Sequence, residues 1–141
     1  MKPTRLFGLL GALYFAQGLP FGFFTQALPV MLRQAGVSLE GIGLTSLLAL
    51  PWALKFLIAP RLDRTSSRRR WLLALQLGTA ALLFVASFVE SLPFVLVTVM
   101  LVNAFAATQD IATDAIAVEL VPRSLRGLAN GLQVGAYRIG M

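Results

Sequence analysis

The chain has 141 residues, of which 57% are hydrophobic and 13% are charged, and its mean hydropathy is +0.79. Because a soluble domain normally carries about 25% charged residues, this composition excludes an ordinary soluble enzyme, a coiled coil and a disordered chain. Cysteine and histidine are both absent from the sequence, which excludes thiol chemistry and removes the usual metal ligand and neutral-pH base. We therefore expect no metal or other cofactor.

Long apolar segments recur along the chain. About 20 mostly apolar residues are needed to cross the hydrocarbon core of a bilayer, and the sequence predicts four complete spans and part of a fifth, at about residues 6–32, 39–60, 71–89, 93–118 and 127–141. The segment from Trp71 does not alternate apolar and polar residues as a barrel strand would. Since helices then remain the way to satisfy the backbone in lipid, we predict a single, all-α, polytopic transmembrane bundle.

The basic residues are distributed unevenly between the two ends of these spans. One end has Arg33, whereas the other has Lys2, Arg5, Arg61, Arg64, Arg68, Arg69, Arg70, Arg123 and Arg126. Cytoplasmic loops are enriched in Lys and Arg, so this distribution predicts a multi-pass protein of the inner (plasma) membrane with a cytoplasmic N-terminus. It also explains the net charge of +6 without a nucleic-acid partner.

Small residues and prolines mark two of the spans. The glycines are Gly8, Gly11, Gly18 and Gly22 on one face of the first span, and Gly127, Gly131 and Gly135 in the fifth. Such faces let helices pack closely. Pro20 and Pro29 interrupt the hydrogen bonds of the first span, and Gln17 lies near the break. Two interpretations stay open: a bent helix that lines a substrate cavity, or an ordinary proline kink.

The fourth span carries the most informative polar residues. Asn103, Asp110 and Asp114 are spaced i, i+7, i+11 and share one face, with Gln109 beside it. A charged group at the bilayer centre costs several kcal/mol, so such residues usually face the bundle interior or water. We predict a polar wall with a protonatable carboxylate at Asp110. Asp114 lies nearer the cytoplasmic end, where a structural, partly hydrated acid is equally consistent with the sequence.

Two cations also fall inside predicted spans. Arg138 lies about 16 Å beyond the start of the fifth span, at a depth similar to that of Asp110 on an antiparallel helix. We therefore predict that the two are paired or share a water-filled cavity. Arg138 could hold a carboxylate or phosphate of a substrate, or it could form a structural ion pair. Lys55 lies nearer the cytoplasm and is expected to extend its ammonium group to the headgroups.

The two basic loops each contain an acid. Asp63 stands with Arg64 and Arg68 in one loop, and Glu119 precedes Arg126 in the other. A charge network between the loops would hold one conformation of a moving bundle. The alternative is that both loops are simply solvated.

These loops resemble those of a known family. Pro60-Arg-Leu-Asp63-Arg64 through Arg70 is similar to the loop 2–3 signature of the major facilitator superfamily, although Pro60 stands where that signature begins with Gly and a serine, Ser66 or Ser67, replaces a later one. Glu119-x-x-Pro122-x-x-x-Arg126-Gly127 resembles the loop 4–5 pattern of the same superfamily.

Further segments narrow the resemblance to one branch. They are Tyr14-Phe-Ala-Gln-Gly-Leu-Pro-Phe21, Leu50-Pro-Trp-Ala-Leu-Lys-Phe-Leu-Ile-Ala-Pro60, Ala107-Thr-Gln-Asp-Ile-Ala-Thr-Asp-Ala115 and Tyr137-Arg-Ile-Gly-Met141. Together they resemble the muropeptide permease (AmpG-like) and acetyl-CoA transporter branch, which includes siderophore permeases. The resemblance implies a twelve-helix transporter of two six-helix halves that alternates between inward-open and outward-open states, commonly driven by protons.

The resemblance covers the first five helices of the N-terminal half, so we expect an N-terminal fragment that lacks its C-terminal half. It also places Lys55, Asp110 and Arg138 at family-like positions. Our first hypothesis is a proton-coupled importer of a polar organic solute, with Asp110 as proton carrier and Arg138 beside it. The substrate stays open between muropeptide, siderophore and coenzyme A thioester.

Two alternatives from other classes are a small membrane-embedded interaction or assembly protein and a dimeric four-span exporter. An enzyme is least expected, because the sequence has no nucleophile–base pair, metal cluster or phosphate loop.

Overall fold

The computed structural model describes residues 3–63, 67–89 and 91–141, and this part of the chain is helical without strands. The helices in chain order are α1 (Pro3–Gly22), α2 (Leu28–Gln34), α3 (Leu39–Leu44), α4 (Leu50–Ala53), α5 (Lys55–Asp63), α6 (Arg68–Ala86), α7 (Leu92–Leu120) and α8 (Arg126–Gly140). Their arrangement confirms the predicted all-α bundle.

Four segments of the described chain are long and apolar enough to cross a membrane: Thr4–Gln34, Leu39–Pro60, Arg68–Ala86 and Leu92–Leu120. They follow the first four apolar segments of the sequence, because length and hydropathy are both properties of the local sequence. The segment predicted as part of a fifth span forms α8, a helix of 15 residues.

The first span is one irregular helix. A π-helical stretch, Phe23–Ala27, connects α1 to α2 without a break in the helical path. It begins shortly after Pro20, which has no amide hydrogen to donate inside the helix. The hydroxyl of Thr25 donates to the carbonyl of Phe21 at 2.8 Å within this stretch. Because π-turns inside α-helices are often found at functional sites, the segment Phe23–Ala27 is a candidate part of the functional site.

A tight turn joins the first span to the second. Gly36 has a φ of +82°, a left-handed conformation that glycine adopts without a Cβ clash. The amide of Val37 then donates to the carbonyl of Leu32 at 3.0 Å, which satisfies a free carbonyl at the helix end. Ser38 begins α3 by accepting a hydrogen bond from the amide of Gly41 at 3.1 Å. This turn makes the first two spans antiparallel neighbours.

The second span is divided into α3, a 3-10 segment (Thr45–Ala49), α4 and α5. In a 3-10 helix the carbonyl of Leu48 would pair with the amide of residue 51, but Pro51 has no amide hydrogen. The side chain of Asn103 on α7 fills this vacancy, because its Nδ2 donates to the carbonyl of Leu48 at 2.8 Å. Asn103 therefore ties the broken span to α7.

The α7 helix lies at the centre of the bundle and packs against α1, α4, α5 and α6. Its middle section is buried, including Asn103, Thr108, Gln109, Asp110 and Thr113. Since polar side chains in a membrane helix face protein rather than lipid, their burial fixes the rotation of α7 about its axis.

Helices α1 and α8 approach each other very closely at one level. A Cβ on Gly18 would overlap the carbonyl of Tyr137, and a Cβ on Gly140 would overlap the carbonyl of Phe15. Gly18 and Gly22 thus serve the packing predicted for the first span, whereas Gly8 faces open space. The predicted packing face of the fifth span is wrong within this part of the chain: a Cβ added at Gly127, Gly131 or Gly135 would have no neighbour within 4 Å.

Candidate functional site

The buried acid of α7 forms an ion pair with the second span. Nζ of Lys55, at the start of α5, lies 2.8 Å from Oδ2 of Asp110. Asp110 is 8% exposed, while 41% of the Lys55 side chain is accessible. The expectation that Lys55 extends to the headgroups is therefore wrong in this structure. The short α4–α5 break at Leu54 turns Lys55 inward toward α7.

Asp110 and Arg138 line the same open cavity, which has a volume of about 380 Å³. Of the two predicted arrangements, an ion pair or a shared cavity, the structure has the shared cavity, and the cation bonded to Asp110 is Lys55. Depth along the helix axes placed Arg138 and Asp110 at the same level, but the rotation of the helices decides which groups touch. The cavity thus contains one acid, Asp110, with Lys55 bonded to it and Arg138 on its opposite helix.

Aromatic rings from three segments form a wall of this cavity. The ring of Phe21 packs against those of Trp52 at 5.6 Å and Tyr137 at 5.9 Å between centroids. Nζ of Lys55 lies 6.0 Å from the centre of the Trp52 ring. Nε1 of Trp52 is buried and has no hydrogen-bond partner in the described part of the chain. The aromatic faces and the guanidinium group of Arg138 together suit an organic solute that has both ring and anionic groups.

Asp114, one helical turn further along α7, belongs to a different cluster. Its Oδ1 accepts hydrogen bonds from the hydroxyl of Tyr14 at 2.8 Å and from Nε2 of Gln133 at 3.2 Å. These groups line a second cavity of about 500 Å³ that extends toward the connection between α7 and α8. The structure therefore gives Asp110 and Asp114 separate surroundings.

The predicted amides do not join either acid. Nε2 of Gln17 donates to the hydroxyl of Thr113 at 2.7 Å, and Gln17 and Gln109 line a separate cleft between α1, α6 and α7. Asn103 holds the backbone of the second span. One oxygen each of Gln17 and Asn103 is buried without a partner among the described residues. These three residues thus support the packing of α7 and do not touch the Asp110 cavity.

The charged residues near the helix ends are linked in part. Arg68 at the start of α6 pairs with Glu119 near the end of α7, which joins the two basic loops through their helices. Arg126 donates to the carbonyl of Val118 at 3.3 Å and so satisfies the C-terminal end of α7. The side chain of Asp63 and all of Arg64, also predicted for this network, lie outside the described residues.

Comparison with known families settles what kind of protein carries these features. Residues 10–141 match the Major Facilitator Superfamily. The chain belongs to the major facilitator superfamily. This membership agrees with four helices that are able to cross a membrane, and it places the chain in a family of multi-pass membrane transporters.

Relatives in the superfamily include an uncharacterized protein of Haemophilus influenzae, 38% identical over 133 residues, which covers 89% of this chain and 31% of the relative. The anhydromuropeptide permeases of Escherichia coli K12 and of Escherichia coli O157:H7 are each 30% identical over 141 residues, covering 94% of this chain and 29% of the relative. The chain thus spans about three tenths of the length of these curated relatives. No solved structure matches it.

Several residues around the two acids were not identified from the sequence of this superfamily member. They are Tyr14, Phe21, Trp52, Gln133 and Tyr137. All except Gln133 lie inside the segments that carry the resemblance to the muropeptide permease branch. That clustering was a usable signal. The predicted site consisted of charged and amide side chains. It left out these aromatic residues, because aromatic side chains are common in any membrane helix.

Proposed function

We propose that the protein is a proton-coupled importer that moves a polar organic solute, muropeptide-like in the first instance, across the inner membrane into the cytoplasm. Its N-terminus would then be cytoplasmic, as the distribution of basic residues suggests. The observation that carries the proposal is the Lys55–Asp110 ion pair, at 2.8 Å, beside a cavity that Arg138 and three aromatic rings line. Identity of 30% to an anhydromuropeptide permease over 94% of the chain supports the solute class.

The chemistry of the cavity suits this solute. An anhydromuropeptide joins a sugar to a short peptide that bears carboxylates. The faces of Phe21, Trp52 and Tyr137 can stack against a sugar ring, and Arg138 can bind a carboxylate through two parallel hydrogen bonds. A siderophore-like solute is the second candidate, because it also combines ring and anionic groups.

The ion pair offers a direct way to couple a proton to the solute. A proton that binds Asp110 removes its negative charge and so releases the ammonium group of Lys55. The freed Lys55 can then bind an anionic group of the solute near Arg138. When the solute leaves, Lys55 returns to Asp110 and the proton is released. Each solute would thereby travel with a proton.

The test is uptake by proteoliposomes that contain the protein expressed from its complete gene. We expect Asp110→Asn to lower uptake driven by a pH gradient by about 100-fold or more, because the neutral amide can neither carry a proton nor hold Lys55 as an ion. Glu40→Gln is a matched control. Glu40 is an exposed acid in the first turn of α3, in the second span, and it does not line the cavity. Normal gradient-driven uptake by Asp110→Asn would end the proposal.

The solute is tested in the same vesicles. Labelled anhydromuropeptide, a ferric siderophore and a coenzyme A thioester are offered separately, with and without the pH gradient. We expect anhydromuropeptide to accumulate most. Accumulation of the siderophore alone would replace the first solute class by the second.

A further inference from the structure

Asp110 and Asp114 of α7 line two different cavities, and one residue of α8 is common to both. Asp110 lines the cavity of about 380 Å³ and Asp114 lines that of about 500 Å³. Gln133 on α8 is part of the wall of both. Asp114 follows Asp110 by four positions, which is about 6 Å along the helix axis. Gln133 is therefore shared by the walls of both cavities, and its amide reaches Asp114.

The two carboxylates have different kinds of partner. Asp110 is paired with a cation, Lys55. The hydrogen bonds to Asp114 from the described residues come from neutral donors, the hydroxyl of Tyr14 and the amide of Gln133, and both reach Oδ1. Among the described residues, Asp110 is thus held by an ion pair and Asp114 by hydrogen bonds from neutral groups.

The other charged and titratable groups that face Asp114 come from every neighbouring element. Asp110 lies one turn earlier on α7, and Lys55 on α5 is paired with it. Arg126 lines the same cavity but donates to a backbone carbonyl of α7. Tyr14 contributes from α1. Asp114 is therefore the next carboxyl group along α7 after Asp110, one helical turn away.

The second cavity leads toward one end of the bundle. Val118 and Val121, which line it, lie in the last turn of α7 and just beyond it, and Arg126 begins α8. Asp110 lies deeper, and its cavity does not include these residues. A cavity of this size with several polar groups can hold water. A proton on Asp114 would therefore be closer to the α7–α8 end of the protein than a proton on Asp110.

We propose that Asp114 is a second proton-binding site, in series with Asp110, and that Gln133 is the gate between them. This inference rests on the proposed proton-coupled uptake. The proton leaves the carboxylic acid of Asp110 as Lys55 re-forms its ion pair. Gln133 turns aside, water joins the two cavities and carries the proton, and the carboxylate of Asp114 binds it. The proton then leaves through the second cavity, past Arg126.

Transport measurements distinguish a role of Asp114 and Gln133 in proton transfer from a purely structural role. We compare net uptake driven by a pH gradient with exchange of labelled for unlabelled solute, which needs no net proton release. We expect Asp114→Asn to lower net uptake by about tenfold, the effect of losing one hydrogen bond to a charged group, and to leave exchange unchanged, because Asp114 does not line the Asp110 cavity. Gln133→Leu, at a residue that lines both cavities, is expected to lower net uptake by at least as much. Gln76→Leu is the matched control, because Gln76 is a partly buried glutamine of α6 that lines neither acidic cavity.

Infrared difference spectra of the purified protein between two pH values supply a readout that does not depend on transport. We expect a band from a buried protonated carboxyl group that Asp114→Asn removes and Gln133→Leu shifts, while Gln76→Leu leaves it unchanged. If no band depends on Asp114, the inference is overturned, even though Asp110→Asn still abolishes coupled uptake. If the band is present but wild-type uptake ignores the pH gradient, the proton-binding site stands and the proposed function fails.

Net uptake by the variants distinguishes two proton-binding sites in series from Asp110 acting alone. Should Asp114→Asn and Gln133→Leu match Gln76→Leu in net uptake, the series arrangement is wrong and Asp110 acts alone. Gln133→Glu, which keeps the length of the side chain and adds an acid at this position, is expected to keep net uptake higher than Gln133→Leu. A loss of exchange together with net uptake would instead assign Gln133 to solute binding and overturn the gate.

Discussion

At the scale of single residues, the ion pair between Asp110 and Lys55 determines which charged groups of the candidate site are bonded to each other. Burying a carboxylate is costly unless a cation and hydrogen bonds compensate for lost hydration. Lys55 supplies that cation from the irregular second span. Arg138 stays on the wall of the same cavity without forming this bond. The arrangement leaves one cation bonded and another available to a solute.

Removal of the Lys55 charge should therefore leave an uncompensated acid. We expect Lys55→Met to lower the stability of the purified protein by about 2 kcal/mol, and the double variant Lys55→Met/Asp110→Asn to recover most of it. The measurement is the fraction of protein that stays monodisperse in detergent after heating. Arg33→Met, which removes an exposed cation at the end of α2, should change the stability by less than about 0.5 kcal/mol. Equal losses in the single and double variants would contradict the pairing.

At the scale of helices, prolines and glycines decide which faces touch. Pro51 frees the carbonyl of Leu48, and Asn103 from α7 binds it. Gly18 and Gly140 allow α1 and α8 to approach until backbone meets backbone. Without large hydrophobic driving forces between helices in lipid, such close packing and interhelical hydrogen bonds determine helix association. The Asp110 cavity depends on both contacts, because its walls come from α1, α4, α7 and α8.

Close contact between α1 and α8 predicts a sharp difference between two glycines of the same helix. Gly18→Ala should destabilise the protein by about 1–3 kcal/mol, because the new methyl group would overlap the carbonyl of Tyr137. Gly8→Ala should be neutral or slightly stabilising, since nothing lies within 4 Å of the added atom. The two variants are compared by thermal unfolding in the same detergent. Similar effects at both positions would rule out the backbone contact.

At the scale of the whole molecule, membership of the major facilitator superfamily explains why a small chain has a polar interior. Residues 10–141 match the superfamily, while the chain spans about three tenths of the length of its curated relatives. Many large apolar side chains are exposed, among them Phe56, Phe84 and Phe88. Surfaces of this kind suit contact with lipid or with further helices.

The orientation proposed for the molecule can be tested by cysteine labelling in a cysteine-free background. Ser67→Cys, just before α6, and Ala35→Cys, in the turn after α2, lie at opposite ends of the predicted spans. We expect a membrane-impermeant thiol reagent to label the cysteine at position 35 in intact cells and the cysteine at position 67 only after permeabilisation, because the basic loop stays in the cytoplasm. The reverse pattern would invert the topology.

The sequence by itself determined the membrane class, the all-α fold, the approximate extent of the spans and the family. These properties depend on local hydropathy and on motifs, which are readable without knowing how helices pack. The sequence also located Asp110, Arg138 and Lys55, because charged residues inside apolar segments are conspicuous.

Only the tertiary structure decided which of these groups touch. Depth along an axis can be counted from the sequence, but the rotation of each helix depends on all of its neighbours. That rotation joined Asp110 to Lys55, left Arg138 on the cavity wall and put Gln133 in the walls of both cavities. It also left Gly127, Gly131 and Gly135 of α8 without a neighbour within 4 Å of an added Cβ, whereas Gly140 meets the backbone of α1.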